Sequence, residues 1–144
     1  MEHKKRLKKI GFVFGLKKEL KLVLDKNKKK FCVYGYGESS KDATKALLKL
    51  GVDIVINLGF AGAISKNLKN GDVVFIDKIF NEDGGELPTS KFDEKLLPSL
   101  KNNYKFVKGN LLTVQKISTN KREKFNLVKK FKSVSVIDME AYHI

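Results

Sequence analysis

Short apolar runs alternate with stretches of helical spacing along the chain, and this alternation is the strongest constraint on its fold. The runs predict four strands, at residues 10–14, 31–34, 52–58 and 134–137. The third run is apolar enough to predict a strand buried on both faces. Helical spacing predicts helices at residues 16–24, from Ser39 or Ser40 to about Leu50, and from Thr119 or Asn120 to Phe131. Alternating strands and helices are typical of an α/β fold with helices on both faces of a sheet.

Turn signals between these elements refine the prediction. Gly51 is expected to end the second helix, and Asn70-Gly71 to precede a strand at residues 72–77. Residues 81–90 are predicted to form a loop, because they contain two adjacent glycines and Pro88. Since strands follow one another around residues 72–80, the sheet is expected to be mixed.

The second half of the chain carries four further predictions. They are a short or broken helix at residues 92–100, a strand at residues 106–114 broken at Gly109-Asn110, a last helix that packs through Phe125, Val128 and Phe131, and the first turns of a helix at residues 138–144. The chain contains no repeat or linker, and we expect residues 1–144 to form a single domain.

The formal net charge of +14 raises the question of a nucleic-acid partner. All but two of the 30 basic residues are lysines, and arginine stands only at positions 6 and 122. Surfaces that read nucleic acids favour arginine, because its guanidinium makes paired hydrogen bonds and stacks on bases. The lysines are spread along the whole chain, so we predict a diffuse charge and no nucleic-acid partner.

The single Cys32 excludes an internal disulfide and a cysteine-based metal site, and its apolar neighbours predict a buried, inert thiol. The apolar run that follows the basic first residues stops at Lys17 and Lys18, and no small-residue cleavage site follows it. No apolar run approaches the length of a membrane span. We therefore expect a cytoplasmic protein with no membrane partner.

Candidate ligand-binding residues follow the predicted strands, since ligands of open α/β sheets bind at the carboxyl ends of strands. Residues 35–37 (GYG) lack the third glycine of a dinucleotide fingerprint, because Ser40 occupies its place. Residues 59–63 (GFAGA) remove side chains from one turn. That composition favours either close approach of a ligand or close packing of a helix on a strand.

Asp138 and Glu140 flank Met139 at the end of an apolar strand, where burial is expected. Carboxylates usually occupy solvated faces, so this pair is unusual. Capping of a following helix explains Asp138 well. It explains Glu140 less well, because a thioether beside a carboxylate suits a sugar, with the ring packed on sulfur and the hydroxyls bonded to the carboxylate.

Several of these segments, in order, resemble those of the nucleoside phosphorylase and nucleosidase superfamily. Residues 57–63 (NLGFAGA) and 68–74 (LKNGDVV) are similar to the family's glycine-rich signature and the strand after it. Residues 136–141 (VIDMEA) resemble its ribose motif. Residues 10–13 (IGFV) with Glu19 resemble the opening strand of the methylthioadenosine/S-adenosylhomocysteine nucleosidases.

This resemblance implies a three-layer αβα fold with a central mixed β-sheet. It implies cleavage of the N-glycosidic bond of a purine nucleoside, a small-molecule nucleoside substrate, no cofactor and no metal, and assembly as a homo-oligomer. Glu19 resembles the glutamate that orients the attacking water, and Glu140 the carboxylate that holds the ribose hydroxyls. Met139 resembles the residue that packs on the sugar, and Ala61 and Gly62 the small residues that line the ribose pocket.

Three further substrate-binding positions depart from the family pattern or have two interpretations. Phe60 stands where many nucleosidases carry Ser or Thr, which puts a contact to water or phosphate in doubt. Ile117 falls near the position of an aromatic side chain that stacks on the base. Asp138 either caps the following helix or faces the base.

The family's later aspartate, which protonates the purine leaving group, has no counterpart in these 144 residues. The chain is therefore expected to be a fragment or a degenerate copy. We expect little glycosidase activity from residues 1–144 by themselves, because general acid catalysis contributes about 10²- to 10⁴-fold.

Three alternatives remain for the activity. Glu19 favours hydrolysis, because a carboxylate orients water and repels phosphate. Phosphorolysis, with phosphate as co-substrate, is the second, since Lys17 and Lys18 offer positive charge beside Glu19. The third is a non-catalytic nucleoside-binding remnant that has lost the general acid.

Overall fold

A computed structural model describes residues 8–23, 31–90, 105–117 and 120–144 of the chain. These residues form two compact units. Unit 1 contains the described residues up to Phe60 together with His143 and Ile144, and unit 2 contains those from Ala61 to Tyr142. The single-domain organisation stays a prediction.

Unit 1 is built on three parallel strands in the order β2-β1-β3, namely β1 (Ile10–Phe14), β2 (Cys32–Tyr34) and β3 (Ile54–Asn57). Its helices are α1 (Lys17–Val23) and α2 (Ser40–Lys49), and a 3-10 helix at Gly37–Ser39 precedes α2. The central strand supplies Val13 to a core that also contains Leu47 and Val52. Because the strands are parallel, their carboxyl ends lie at one edge of the sheet.

Two expectations for unit 1 are corrected by the structure. Ser39 occupies the position just before α2, but its side chain makes no capping hydrogen bond; the hydroxyls of Ser39 and Ser40 donate to the carbonyls of Tyr36 and Gly37, each at 2.7 Å. The strand predicted at residues 52–58 is not buried on both faces. It pairs with β1 alone among the described strands, and both Ile54 and Leu58 are exposed.

Of two other expectations for unit 1, the one for Gly51 agrees with the structure and the one for a buried Cys32 agrees only in part. Helix α2 ends just before Gly51, whose φ is +70°. Cys32 is only half-buried, and burial raises the pKa of its thiol above the usual value. The predicted inert thiol is consistent with that direction, since the thiolate is the reactive form.

Unit 2 contains a five-stranded mixed sheet in the order β4-β8-β7-β5-β6. The strands are β4 (Gly62–Ala63), β5 (Val73–Asn81), β6 (Glu86–Pro88), β7 (Phe106–Thr113) and β8 (Val134–Asp138). The three central strands are parallel, and β4 and β6 join the two edges in antiparallel orientation. The predicted α/β class with a mixed sheet is confirmed.

Register shifts on both sides of β7 align the ends of the neighbouring strands. The pairing of β7 with β5 shifts between Ile76 and Lys78, and its pairing with β8 shifts between Asn110 and Leu111. The extra residue lies in the neighbouring strand each time, because consecutive residues of β7 pair on either side of Asp77 in β5 and of Ser135 in β8. Strand β7 itself is continuous, so the break predicted at Gly109-Asn110 is wrong. Beyond these shifts the register places Thr113 opposite Asp138 at the carboxyl ends of β7 and β8.

Residues 81–90 do not form the predicted loop throughout. Asn81 and Gly85 close a turn, in which the Gly85 N–H donates to Oδ1 of Asn81, and β6 then pairs back on β5. Pro88 is tolerated because β6 is an edge strand, where a missing donor is harmless.

The last helix, α3 (Lys121–Lys130), begins at Asn120, whose side chain accepts from the N–H of Arg122. It packs through Leu127 and Phe131, and the predicted contact through Phe125 and Val128 is wrong, since Phe125 is 66% exposed. Residues four apart share a helix face, whereas Phe125 lies two residues from Leu127 and points away.

The helix predicted from Asp138 to Ile144 is reduced to a 3-10 helix at Ala141–His143. The helix predicted at residues 92–100 lies outside the described residues. In the parts of the chain that the structure describes, no helix has both the length and the apolar character needed to cross a bilayer.

Leu47 and Leu48 are neighbours on α2 that test the core of unit 1, since they are 0% and 56% exposed. We expect Leu47→Ala to lower the free energy of unfolding by about 2–5 kcal/mol, because it opens a cavity. Leu48→Ala makes the same change in helix propensity and is expected to alter it by less than about 1 kcal/mol. Urea unfolding of both variants checks this, and equal losses would contradict the assignment of Leu47 to the core.

Candidate active site

Glu19 is a buried carboxylate at the carboxyl edge of the unit 1 sheet. It lies in the first turn of α1 and is only 6% exposed. Its Oε2 accepts from the N–H of Leu16 at 2.8 Å, which is the contact by which a glutamate at the third helical position closes a helix start. Its Oε1 accepts from the N–H of Phe60, 41 residues later, at 2.9 Å. One carboxylate therefore joins the turn after β1 to the turn after β3.

The glycines of residues 59–63 are explained by close packing of protein atoms. A side chain at Gly59 would bring its Cβ to 3.1 Å from Oε1 of Glu19. A side chain at Gly62 would bring its Cβ to 3.1 Å from a side-chain carbon of Ile137. Of the two explanations for this composition, close packing is therefore present at both glycines.

The side chains next to the Glu19 carboxylate are open to solvent. Phe60 donates its backbone N–H inward while its ring is 76% exposed. Lys17 and Lys18, at the start of α1, are also exposed. The Glu19 carboxylate therefore lies in the interior, while the side chains of Lys17 and Lys18 lie on the surface.

Asp138 is the second buried carboxylate and lies at the carboxyl end of β8, in unit 2. Its Oδ1 accepts from the hydroxyl of Thr113 at 2.8 Å, and its Oδ2 accepts from the N–H of Ala141 at 2.9 Å. The same Thr113 oxygen accepts from the N–H of Tyr142 at 2.9 Å. The expected capping role is thus present, although it closes a single 3-10 turn.

Burial raises the pKa of Asp138 from 3.8 to about 6. The hydrogen bonds from Thr113 and Ala141 act in the opposite direction, and the negative charge of Glu140 raises the pKa further. A carboxyl group in this state exchanges its proton close to neutral pH.

Met139 and Glu140 follow Asp138 directly, and both are half-buried. Met139 packs against the core that contains Leu112 and Ile137. Oε2 of Glu140 accepts from the N–H of Met139 at 3.2 Å. The turn that holds these two side chains is therefore fixed from both sides by the bonds of Asp138.

The remaining predicted positions lie at different places in unit 2. Gly62 pairs with Ile137, so β4 runs beside the strand that ends in Asp138. Ala61 is exposed at the start of β4. Ile117 is exposed in the segment after β7. Within unit 2 the structure brings Gly62 next to β8, and within unit 1 it brings Glu19 next to Phe60.

Thr113 and Tyr142 were missed by the sequence reasoning. The available signal was a hydroxyl residue that ends the apolar run Leu111-Leu112, in a strand predicted to pair within the sheet. Because register between distant strands cannot be read from one sequence, the partner of that hydroxyl was not predictable.

A cavity of about 500 Å³ in unit 1 does not contain the predicted site residues. It is lined by Glu38, Ser39, Lys41, Asp42, Lys45 and His143. Within the described ranges, no three or more His, Cys, Asp or Glu side chains are grouped so that they could hold a metal ion.

The sequence profile of the Phosphorylase superfamily matches residues 3–144, nearly the whole chain. The chain belongs to this superfamily. No curated protein sequence matches it at a significant level. The predicted membership of the nucleoside phosphorylase and nucleosidase superfamily is confirmed.

Solved structures of similar fold include a futalosine hydrolase and nucleosidases. A futalosine hydrolase mutant of Helicobacter pylori has a TM-score of 0.74 at 21% identity, over 95% of this chain and 80% of that one. The 5′-methylthioadenosine/S-adenosylhomocysteine nucleosidase of the same organism has 0.74 at 19%, over 96% and 78%. The corresponding Neisseria meningitidis enzyme has 0.73 at 21%, over 95% and 78%. The likeness confirms the predicted nucleoside phosphorylase-like α/β fold.

The raised pKa of Asp138 predicts a loss of stability as pH rises. The unfolded carboxyl ionises near pH 4 and the folded one near pH 6, so ionisation favours the unfolded chain. The contribution of Asp138 is therefore complete below pH 4 and falls by about 3 kcal/mol once pH passes 6.

Urea unfolding of wild type and Asp138→Asn at several pH values checks this, because the variant lacks the titrating group. The wild-type free energy of unfolding minus that of the variant should decrease between pH 4 and pH 7. A difference that is constant or increases over that range would contradict the assignment.

Proposed function

We propose that this protein hydrolyses the N-glycosidic bond of a purine nucleoside of the methylthioadenosine or S-adenosylhomocysteine type. The observation that carries the proposal is the Glu19 carboxylate, buried at the carboxyl edge of parallel strands and held by two backbone N–H groups. In the proposed reaction Glu19 orients a water molecule for attack on the anomeric carbon and accepts its proton.

The geometry of Glu19 supports water as the nucleophile. Each carboxylate oxygen can accept more than one hydrogen bond, so one backbone donor on each leaves further acceptor capacity. The two N–H donors hold the group in place, which preserves its orientation when water binds. A buried negative charge repels phosphate, because the Coulomb interaction is stronger in a medium of low dielectric constant.

Glu140 is proposed to hold the ribose hydroxyls, with Met139 packed against the sugar. A carboxylate that accepts from two hydroxyls stabilises the positive charge that develops on the ribose as the bond to the base breaks. Asp138 fixes the turn that carries both residues. Gly62 and Ala61 are proposed to line the ribose pocket, and Phe60 and Ile117 are kept as proposed substrate-binding residues.

The comparisons support the substrate class at the level of the superfamily. One solved relative, a Helicobacter pylori enzyme, holds 5′-methylthioadenosine in its active site, and another is a futalosine hydrolase. We carry over from them a small nucleoside substrate, and a reaction without a cofactor stays a prediction. The cytoplasmic location, the homo-oligomer and the single domain stay predictions.

Phosphorolysis is the second candidate, and the exposed Lys17 and Lys18 favour it. They provide positive charge at the start of α1, where an anion is also attracted by the helix dipole. The two reactions differ in their sugar product, which is the free sugar with its 5-substituent in one case and the 1-phosphate of that sugar in the other.

A product assay tests the reaction. Because slow turnover is expected, enzyme in excess is incubated with 5′-methylthioadenosine, S-adenosylhomocysteine, futalosine or adenosine, with and without phosphate. We expect free purine and the free sugar, at a rate that phosphate does not increase. Glu19→Gln should lower this rate by about 10²- to 10⁴-fold, whereas Glu123→Gln, a first-turn glutamate exposed on α3, should leave it unchanged.

Each other outcome identifies an alternative. A sugar 1-phosphate product would replace hydrolysis by phosphorolysis. Tight nucleoside binding with no purine release would favour the binding remnant. A Glu19→Gln variant with the wild-type rate would remove Glu19 from the mechanism.

Glu140→Gln tests the ribose contact by calorimetry. The variant keeps the size of the side chain and loses its charge, so ribonucleoside affinity should fall by about tenfold or more. Affinity for the free purine base should stay within about twofold, because the base makes no contact with this carboxylate. Equal losses for both ligands would contradict the assignment.

A further inference from the structure

Thr113 occupies a position that no sequence motif marks, at the end of β7 and opposite Asp138. We propose that Thr113 is a positioning residue that sets the orientation of Met139 and Glu140 by holding the chain on both sides of them. This inference rests on the proposed function, in which these two residues contact the ribose.

The hydrogen bonds of Thr113 define this role. Its hydroxyl proton is donated to Oδ1 of Asp138, which precedes the pair. Its oxygen accepts from the N–H of Tyr142, which follows the pair. Since a hydroxyl has one proton, the direction of both bonds is determined. The hydroxyl oxygen of Thr113 thus contacts the chain both before and after residues 139–140.

Asp138 makes a further contact with the chain after Glu140. Its second oxygen accepts from the N–H of Ala141, so both Asp138 and Thr113 bind the chain just after Glu140. Thr113 and Asp138 are 4% and 6% exposed, and water cannot easily replace either bond. Buried polar networks of this kind hold one geometry because each broken bond leaves an unsatisfied group.

The residue type follows from the surroundings of Thr113. Valine has the same shape and would leave Oδ1 of Asp138 and the N–H of Tyr142 without their partner. Serine would keep the hydroxyl and lose one methyl group. The pair Thr113→Val and Thr113→Ser therefore separates the hydrogen bonds from the packing.

The pKa of Asp138 supplies a readout that does not depend on ligand. The bond from Thr113 lowers this pKa, while burial and the charge of Glu140 raise it. Among the described residues, Glu140 is the charged group that acts on Asp138. Loss of the hydroxyl should therefore move the titration of Asp138 above pH 6, which loss of packing alone does not do.

The experiment measures binding and titration in wild type and three variants. Adenosine, 2′,3′-dideoxyadenosine and adenine are titrated by calorimetry, and the Asp138 carboxyl is followed by carbon NMR between pH 4 and pH 8. Thr44→Val is the matched control, because Thr44 is also buried, at 6% exposure, and its hydroxyl donates to the Ser40 carbonyl in α2. Thermal unfolding of each variant verifies folding.

We expect wild type to prefer adenosine over the dideoxy analogue. Thr113→Val should lower adenosine affinity by about tenfold, leave the affinities for adenine and the dideoxy analogue within about twofold, and raise the Asp138 pKa. Thr113→Ser should restore the adenosine affinity and the pKa. Thr44→Val should change neither.

The contradicting outcomes separate this inference from the proposed function. If wild type discriminates the ribose hydroxyls and folded Thr113→Val discriminates them equally well, the positioning role is overturned and the proposed function stands. If Thr113→Val and Thr113→Ser lose adenosine affinity equally, packing replaces the hydrogen bonds as the cause and the role is overturned. If wild type shows no preference for the ribose hydroxyls, the proposed ribose contact is contradicted, and the positioning role that depends on it is contradicted as well.

Discussion

A carboxylate buried at the end of a strand is stable only if its oxygens find donors, and the geometry of unit 2 depends on how Asp138 meets that requirement. Its donors are a hydroxyl from β7 and a backbone N–H three residues ahead. The first requires that β7 and β8 end in register, and the second requires that the chain turn at once after the strand. The register shift between β7 and β8 and the short 3-10 helix after β8 together meet these two requirements.

Glu19 in unit 1 is also a buried carboxylate whose oxygens accept hydrogen bonds from two parts of the chain. Its donors are both backbone N–H groups, one local and one 41 residues away. The local bond begins α1, and the distant bond fixes the turn that carries Phe60. Gly59 lies beside it, where the Cβ of any other residue would come to 3.1 Å from Oε1 of the carboxylate. Both buried carboxylates thus connect two strand ends at a carboxyl edge, where ligands of α/β folds bind.

The predictions succeeded where the signal is local and periodic. The alternation of apolar runs with helical spacing predicted β1, α1, β2 and α2 close to their observed bounds, since period and length alone distinguish these elements. The start of α3 was predicted at Thr119 or Asn120, and Asn120 is the residue whose side chain caps it, because a side-chain cap involves neighbouring residues only. The Asp138–Glu140 segment was singled out because carboxylates at the end of an apolar strand are uncommon, and Glu19 because it resembles a family glutamate; their roles in the site stay predictions.

The errors arose where a residue has more than one possible partner. Ser39 and Ser40 are good capping residues, yet their hydroxyls donate to the carbonyls of Tyr36 and Gly37, at the start of the preceding 3-10 turn. Phe125 is as apolar as Phe131, and the sheet surface beneath α3 decides which of the two is covered. The sequence by itself determined the α/β class, the order of the longer strands and helices in the described residues, and the superfamily, because these follow from periodicity and motif. Only the tertiary structure decided that Thr113 meets Asp138 and that Glu19 meets Phe60, because those bonds depend on strand register and chain reversal between residues 25 and 41 positions apart.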